Sequence, residues 1–168
     1  MHCNTAMYLY KKADLKIFSI LIILLTALIT GCKQIDVYER MVPFPKHEWS
    51  AASKPAFEFT ITDTVSRYNV FVVLRHGDAY HFNNLWIDIT TIPPGDTAQT
   101  VRANLKLGDN QKWLGNTIDD IVEHRILINN NPLKFKAGNY KFILQQVMRE
   151  DPLQYILNAG IRVEKVNQ

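Results

Sequence analysis

The stretch Phe57-Glu58-Phe59-Thr60-Ile61-Thr62 decides the fold class, because apolar and polar residues alternate in it without interruption. Alternation with a period of two places the apolar side chains on one face of a β-strand and the polar side chains on the other. After turn residues 63–66 comes the run 68–74, Tyr-Asn-Val-Phe-Val-Val-Leu, which is almost wholly apolar. That run predicts a central strand covered on both faces.

The same alternation returns along the rest of the chain. Residues 85–89 and 101–107 alternate on either side of Pro93-Pro94-Gly95-Asp96, a strong turn sequence, and so predict a hairpin. Further strands are predicted at residues 35–39, 126–128, 140–148 and 161–164. About eight short strands with turn residues between them predict an all-β fold, a single antiparallel β-sandwich of immunoglobulin-like or jelly-roll-like form.

Two segments carry helical signals. Ile118, Ile121 and Val122 have helical spacing, which predicts a short helical turn before the strand at 126–128. Asp151-Pro152 has the form of an N-cap followed by proline at the first helical position. A short helix is therefore predicted over residues 153–157.

The N-terminal residues have the pattern of a leader. Three lysines precede the apolar run 17–29, which ends in Ile29-Thr30-Gly31-Cys32, a sequence that resembles a bacterial lipobox. In that interpretation the Cys32 thiol is acylated and the chain is cut before it. The alternative is an uncleaved membrane anchor, but a spanning helix needs about 20 apolar residues and this run is shorter. Lys33 directly after the cysteine favours the outer membrane, facing the periplasm, by analogy with lipoprotein sorting.

The predicted organisation has three parts: a signal peptide at 1–31, a lipidated N-terminus with a tether or arm at 32–54, and the sandwich at 55–168. Trp49 is expected to pack the arm onto the sandwich. Because Cys3 lies in the leader and Cys32 carries lipid, no cysteine remains for disulfides, zinc or nucleophilic catalysis.

Composition argues against a nucleic-acid partner. The chain has 19 basic and 16 acidic residues, but Lys11, Lys12 and Lys16 belong to the leader. The mature chain is therefore close to neutral and has no basic stripe of the kind that binds phosphate backbones.

Two polar clusters are candidate sites of chemistry. His76-Gly77-Asp78-Ala79-Tyr80-His81 has metal-ligand residue types, but its spacing matches no standard zinc pattern, which favours a polar loop with solvated imidazoles. Asp119, Asp120, Glu123 and His124 contain paired carboxylates, for which a solvated charged face is favoured over acid/base catalysis. With no catalytic or nucleotide-binding motif, the sequence predicts a protein that is not an enzyme and needs no cofactor and no metal.

The segment Lys112-Trp113-Leu114-Gly115 has two interpretations. Trp113 fills one end of the sandwich, with Gly115 in a conformation closed to other residues, or the segment contacts a partner. The candidate partner contacts are Trp113, Leu114, Gly115, His76, His81 and Trp86.

The mature chain resembles the gliding-motility lipoproteins of the GldH family of Bacteroidota. The residues that carry the resemblance are Val37-Tyr38-Glu39, Phe57-Glu58-Phe59, Asp63-Thr64-Val65-Ser66-Arg67-Tyr68-Asn69, Leu74-Arg75-His76, Asn84-Leu85-Trp86, Lys112-Trp113-Leu114-Gly115, Asp120-Ile121, Gly138-Asn139-Tyr140-Lys141-Phe142, Gln146-Val147-Met148-Arg149 and Gly160-Ile161-Arg162-Val163-Glu164. The resemblance implies a lipid-anchored envelope component of gliding motility, associated with type IX secretion. It brings no catalytic residues, and only the acylated Cys32 is carried over.

Three functional hypotheses follow. The first is an accessory lipoprotein, held in the membrane by acylated Cys32, that binds envelope or secretion-machinery proteins. The second is a glycan-binding surface lipoprotein, which needs Trp86 or another aromatic ring in an open platform beside polar side chains. The third is an enzyme that uses the histidine loop.

Overall fold

Alternating sequence patterns become antiparallel strands throughout the computed structural model, which describes residues 37–109 and 111–166. The predicted leader, Cys32 and the start of the tether lie outside these residues. The strands are β1 (Val37–Pro43), β2 (Glu48–Trp49), β3 (Ala56–Ile61), β4 (Tyr68–Gly77), β5 (Asn84–Ile92), β6 (Gln99–Lys106), β7 (Asn116–Ile118), β8 (Ile121–Leu127), β9 (Gly138–Gln146), β10 (Leu153–Gln154) and β11 (Ile156–Lys165). The only helical element among the described residues is a 3-10 turn at Pro45–His47. The all-β prediction is confirmed.

The strands form two main sheets. One is five-stranded, in the order β1-β11-β4-β8-β7, and the other is four-stranded, in the order β3-β9-β5-β6. The two-residue strands β2 and β10 pair with each other. Neighbouring strands are antiparallel throughout, and the predicted hairpin of residues 85–107 is β5 with β6.

The core lies between these sheets and is made by the inward-facing residues of each strand. In β3 burial alternates strictly, and Phe57, Phe59 and Ile61 are the buried members. Val72 and Leu74 of the central strand β4 are fully buried opposite them. Each such aliphatic or aromatic side chain contributes roughly 1.5–3 kcal/mol when removed from water.

The stretch predicted as a tether and arm contributes two strands. β1 runs along β11 for its whole length as an edge of the five-stranded sheet. Trp49 is fully buried, stacks on Phe44 with ring centroids 4.9 Å apart, and donates its indole N–H to the carbonyl of Ser53 at 2.9 Å. The prediction that Trp49 packs this arm onto the domain is confirmed.

The helical turn predicted near residue 118 is wrong. β7 and β8 form a hairpin there, with Ile118 opposite Ile121 and Asp119 in the left-handed region at φ 54°. Ile118 and Ile121 show helical spacing in the sequence only because they lie on opposite sides of this turn. On β8 the buried residues, Val122 and His124, are two apart, as a strand requires.

The helix predicted over residues 153–157 is also wrong. Leu153 pairs with Trp49, Tyr155 has φ 64°, and β11 begins at Ile156. The carboxylate of Asp151 accepts the backbone N–H of Ala51 at 2.8 Å instead of capping a helix. Burial of both Leu153 and Ile156 against the arm outweighs the local capping signal.

Candidate functional site

Two buried histidines meet inside the sandwich. His76 lies near the end of β4 and His124 lies on the neighbouring β8, with side chains that both point into the interior. Their Nε2 atoms are 3.0 Å apart, and the rings are stacked with centroids 5.1 Å apart. The exposed fraction is 0% for His76 and 3% for His124. The prediction of solvated imidazoles is therefore wrong for His76, and the prediction of a solvated face is wrong for His124.

The hydrogen bonds define the proton positions of this pair. The His76 Nδ1 atom is 2.7 Å from the carbonyl oxygen of Gly77, which can only accept, so Nδ1 carries the hydrogen. In a neutral ring the His76 Nε2 atom is then an acceptor, and His124 donates its Nε2 hydrogen to it. Protonation of both rings would place two donors face to face.

Burial favours the neutral form of both rings. It lowers the pKa of His76 from the ordinary 6.5, against the smaller opposing effects of the Gly77 carbonyl and the Asp78 carboxylate. Burial, with a smaller effect from charge on His76, lowers the pKa of His124 to about 4. The pair is thus a neutral hydrogen-bonded unit near neutral pH.

The segment Trp113–Gly115 lies over this pair. The ring of Trp113 meets His76 edge to face, with centroids 4.5 Å apart, and packs against the core as predicted. Leu114 is 50% exposed beside it. A methyl group on Gly115 would clash with the Glu123 carbonyl and come within 2.9 Å of the His124 ring.

The reason for glycine at residue 115 therefore differs from the prediction. Among the described glycines, Gly95 and Gly138 have positive φ, and Gly115 does not. It is needed because the segment passes so close to β8 that no side chain fits.

His81 lies apart from His76, although the two are neighbours in the sequence. Its imidazole is on the surface, 3.5 Å from the carboxylate of Glu150, with 53% of the side chain exposed. The loop therefore places its two histidines in different environments. Among the described residues, no group of three or more metal-ligating side chains comes together.

The second polar cluster is divided in the same way. Glu123 faces outward, where it forms ion pairs with Arg75 at 2.6 Å and Arg125 at 3.0 Å. Asp119 and Asp120 are exposed in the turn between β7 and β8. Because successive side chains of a strand point to opposite faces, Glu123 and the inward-facing His124 do not share a site.

A shallow groove of about 550 Å³ lies on the outer face of the four-stranded sheet, centred on Trp86. The Trp86 side chain is 41% exposed and has Phe82 and Met148 beside it. The polar lining includes Asn84 and Arg102, and Arg102 makes two hydrogen bonds to Asp88, at 2.7 and 2.8 Å. Trp86 thus sits in an open platform beside polar groups.

His124 as the partner of His76 was missed by the sequence analysis. A signal for it existed, since Val122, His124 and Ile126 follow the strand period of two. The remaining lining of the Trp86 groove, Phe82, Arg102, Met148 and Arg149, comes from separate segments that no local pattern joins.

Comparison with known proteins gives a consistent result. The family model described as GldH lipoprotein matches residues 36–163. The gliding motility lipoprotein GldH homolog of Christiangramia forsetii is 28% identical over 158 residues, covering 88% of this chain and 96% of the relative. The gliding motility lipoprotein GldH of Flavobacterium johnsoniae is 30% identical over 129 residues, covering 70% and 77%.

Among solved structures, the chain is similar to a carbohydrate-binding module specific for non-crystalline cellulose, with a TM-score of 0.41 and 14% identity over 77% of this chain and 72% of that one. A likeness at that level carries no functional argument. Within the described residues, no helix has both the length and the apolar character needed to cross a bilayer.

Proposed function

Because the chain belongs to the GldH lipoprotein family, we propose that it acts as a lipid-anchored accessory component of gliding motility and type IX secretion by binding another envelope protein. The observation that carries this proposal is the family match over residues 36–163, which spans almost the whole described sandwich. GldH is a family of motility lipoproteins and is not known as an enzyme family.

The arrangement of polar groups supports a binding role over catalysis. The buried His76–His124 pair is held neutral and is covered by Trp113, and the carboxylates nearest in sequence face solvent. The exposed side chains around this end, among them Leu114 and Trp86, offer surface for contact with a partner.

The membrane anchor in this proposal is acylated Cys32, and Lys33 directs the protein to the outer membrane with the sandwich in the periplasm. Because only four residues separate Cys32 from the start of β1, the sandwich would stay close to the lipid surface. Several acyl chains anchor a protein stably, since each buried methylene contributes about 0.8 kcal/mol.

The anchor is tested by replacing each cysteine separately in the native host. Cys32→Ala should abolish incorporation of labelled palmitate and release the protein from the membrane fraction. Cys3→Ala is the matched control and should keep both, because Cys3 lies upstream of the predicted cleavage site. Palmitate labelling of the Cys32→Ala protein would refute the lipoprotein assignment of this residue.

A second candidate function is glycan binding at the Trp86 groove, favoured by the exposed indole beside Asn84 and Arg102. Aromatic faces stack on the apolar faces of sugar rings, and neighbouring polar groups orient them. Titration of the protein with soluble peptidoglycan fragments or a soluble β-glucan should quench its tryptophan fluorescence, and Trp86→Ala should lose the response. An unchanged response in Trp86→Ala would remove this candidate.

A further inference from the structure

One side of the sandwich is open between the two sheets. A cleft of about 440 Å³ lies there, with β6 on one wall and β8 with the following loop on the other. Its lining is mostly aliphatic and aromatic, and includes Val101, Leu105, Ile126, Leu133 and Phe135. Val101 belongs to the inward-facing set of β6, yet 64% of it is exposed.

On the opposite side of the sandwich, Tyr38 of β1 packs on Phe59 of β3, with ring centroids 5.0 Å apart. Tyr38 also lines two clefts there, of about 340 and 430 Å³. On the open side, β7 is only three residues long and pairs with residues 121–123 of β8, so that the rest of β8 has no outer neighbour. The cleft therefore has the form of a sandwich that lacks a strand.

β6 presents backbone N–H and C=O groups to this open side, where it has no neighbouring strand. Leu107 donates its N–H to the carbonyl of Asn83, which continues the β5–β6 register. Because the bonding direction alternates along an antiparallel strand, residues 101, 103 and 105 bond to β5. The N–H and C=O groups of residues 100, 102, 104 and 106 point to the free edge. On the other side of β5, Val147 donates its N–H to the carbonyl of Trp86. The even-numbered residue Trp86 thus bonds away from β6, as the alternation requires.

The β6 edge lacks several of the features that normally prevent strand addition. Edge strands are commonly protected by charged side chains, above all lysine, by proline, by a bulge, by an inward-pointing charge or by very short length. β6 carries Arg102 and Lys106, but it is eight residues long, contains no proline, and pairs with β5 in unbroken register. By comparison, the edge strand β7 has three residues, and β1 ends in Pro43.

One charged side chain lines the cleft, and it is a lysine. None of its lining residues is acidic; Lys106 lines it, and Lys134 lies between the lining residues Leu133 and Phe135. Neither lysine has an ion pair within residues 37–109 and 111–166. A second copy of this chain would bring the same lysines to the interface, whereas an acidic segment would be attracted.

We propose that the β6 edge and the cleft beside it bind an extended acidic segment of another envelope protein, which adds as a strand to the four-stranded sheet. Main-chain hydrogen bonds to residues 100–106 hold the segment, and an apolar side chain at alternate positions inserts beside Val101. Acidic residues of the segment face Lys106 and Lys134. This site rests on the proposed function only in requiring a protein partner in the envelope.

The site is tested by crosslinking in the native host. Because the sequence has no cysteine after Cys32, a new one can carry a thiol-directed photo-crosslinker. Thr100→Cys places the label on the outer face of β6, beside the added strand and outside the cleft. Glu58→Cys, on the outer face of the opposite edge strand β3, is the matched control. The Thr100→Cys adduct should map to a net acidic segment with apolar residues at alternate positions.

Substitutions in the cleft give a second measurement on the Thr100→Cys protein. Val101→Asp should lower the adduct yield about tenfold or more, because an unpaired carboxylate would be desolvated by the added strand and would repel its acidic residues. Val101→Leu should keep the yield, and circular dichroism checks that each variant is folded. Lys134→Glu, at an exposed position, should also lower the yield without disturbing the core.

Each other outcome overturns the inference. An adduct with a second copy of this chain, with lipid, or with a segment that is basic or lacks the alternation contradicts the proposed occupant. An adduct yield no higher than that of Glu58→Cys, or a yield unaffected by Val101→Asp and Lys134→Glu, contradicts the site. Capture of a partner from Glu58→Cys alone would leave the proposed function standing and reject this surface.

Discussion

The His76–His124 contact is the most unusual side-chain arrangement of the protein. Two imidazoles are removed from water and share one hydrogen between their Nε2 atoms, which are 3.0 Å apart. Burial favours the form of this pair in which both rings are neutral. Stability should therefore respond to pH in the range where a free imidazole takes up a proton.

The free energy of unfolding should fall as the pH drops from 6.5 to about 4. Above pH 6.5 the imidazoles are neutral in both the folded and the unfolded chain. Below pH 6.5 the unfolded chain binds protons, whereas His124 in the folded chain stays neutral until about pH 4, which is its lowered pKa. The loss should be on the order of 2 kcal/mol, measured by denaturant unfolding across this range.

Two variants provide controls for that measurement. The double substitution His76→Leu with His124→Leu should flatten the dependence in this window, because no buried imidazole remains to titrate. His81→Ala should keep it, because His81 lies on the surface. A wild-type protein equally stable at both ends of the window would contradict the assignment.

Gly115→Ala should destabilise the fold by about 1–3 kcal/mol, the usual cost of forcing extra atoms into a packed site. The new methyl group meets the Glu123 carbonyl and the His124 ring, neither of which can move without disturbing β8. Gly95→Asn is the control: nothing lies within 4 Å of that position, and asparagine tolerates φ +68°. Chemical denaturation of the two variants should separate them, and equal stabilities would argue against the close approach.

At the scale of elements, the arm between β1 and β3 depends on one side chain. Trp49→Ala should lower the free energy of unfolding by about 3–5 kcal/mol, because it removes a fully buried indole together with its contact to Phe44. The amide protons of β2 and β10 should then exchange faster. Trp86→Ala, which removes the same ring from an exposed position, should cost far less. A small effect at Trp49 would mean that the arm is held by other contacts.

At the scale of the whole molecule, the described residues 37–109 and 111–166 belong to one compact unit. We therefore expect a chain that begins at Asp36 to fold cooperatively in a thermal melt. A chain that begins at Pro55, the predicted start of the sandwich, should not, because it lacks β1 along β11 and the buried Trp49. Cooperative melting of the shorter chain would support the boundary at 55.

The sequence by itself determined the fold class and most strand positions. The alternation of Phe57, Phe59 and Ile61, or of Leu85, Ile87 and Ile89, is a property of adjacent residues, and its period fixes the strand and its inner face. The family resemblance was also visible in short motifs along the chain. Predictions failed where a turn interrupted the pattern, as at Asp119 and Tyr155, because spacing across a turn imitates a helix.

Only the tertiary structure decided which strands are neighbours and what meets across them. His76 and His124 are 48 residues apart, and neither the open side between β6 and β8 nor the place of β1 beside β11 follows from local periodicity. Pairing depends on how whole faces are buried against one another, and that free energy is non-local. The interior histidine pair and the free β6 edge therefore depend on contacts between distant segments.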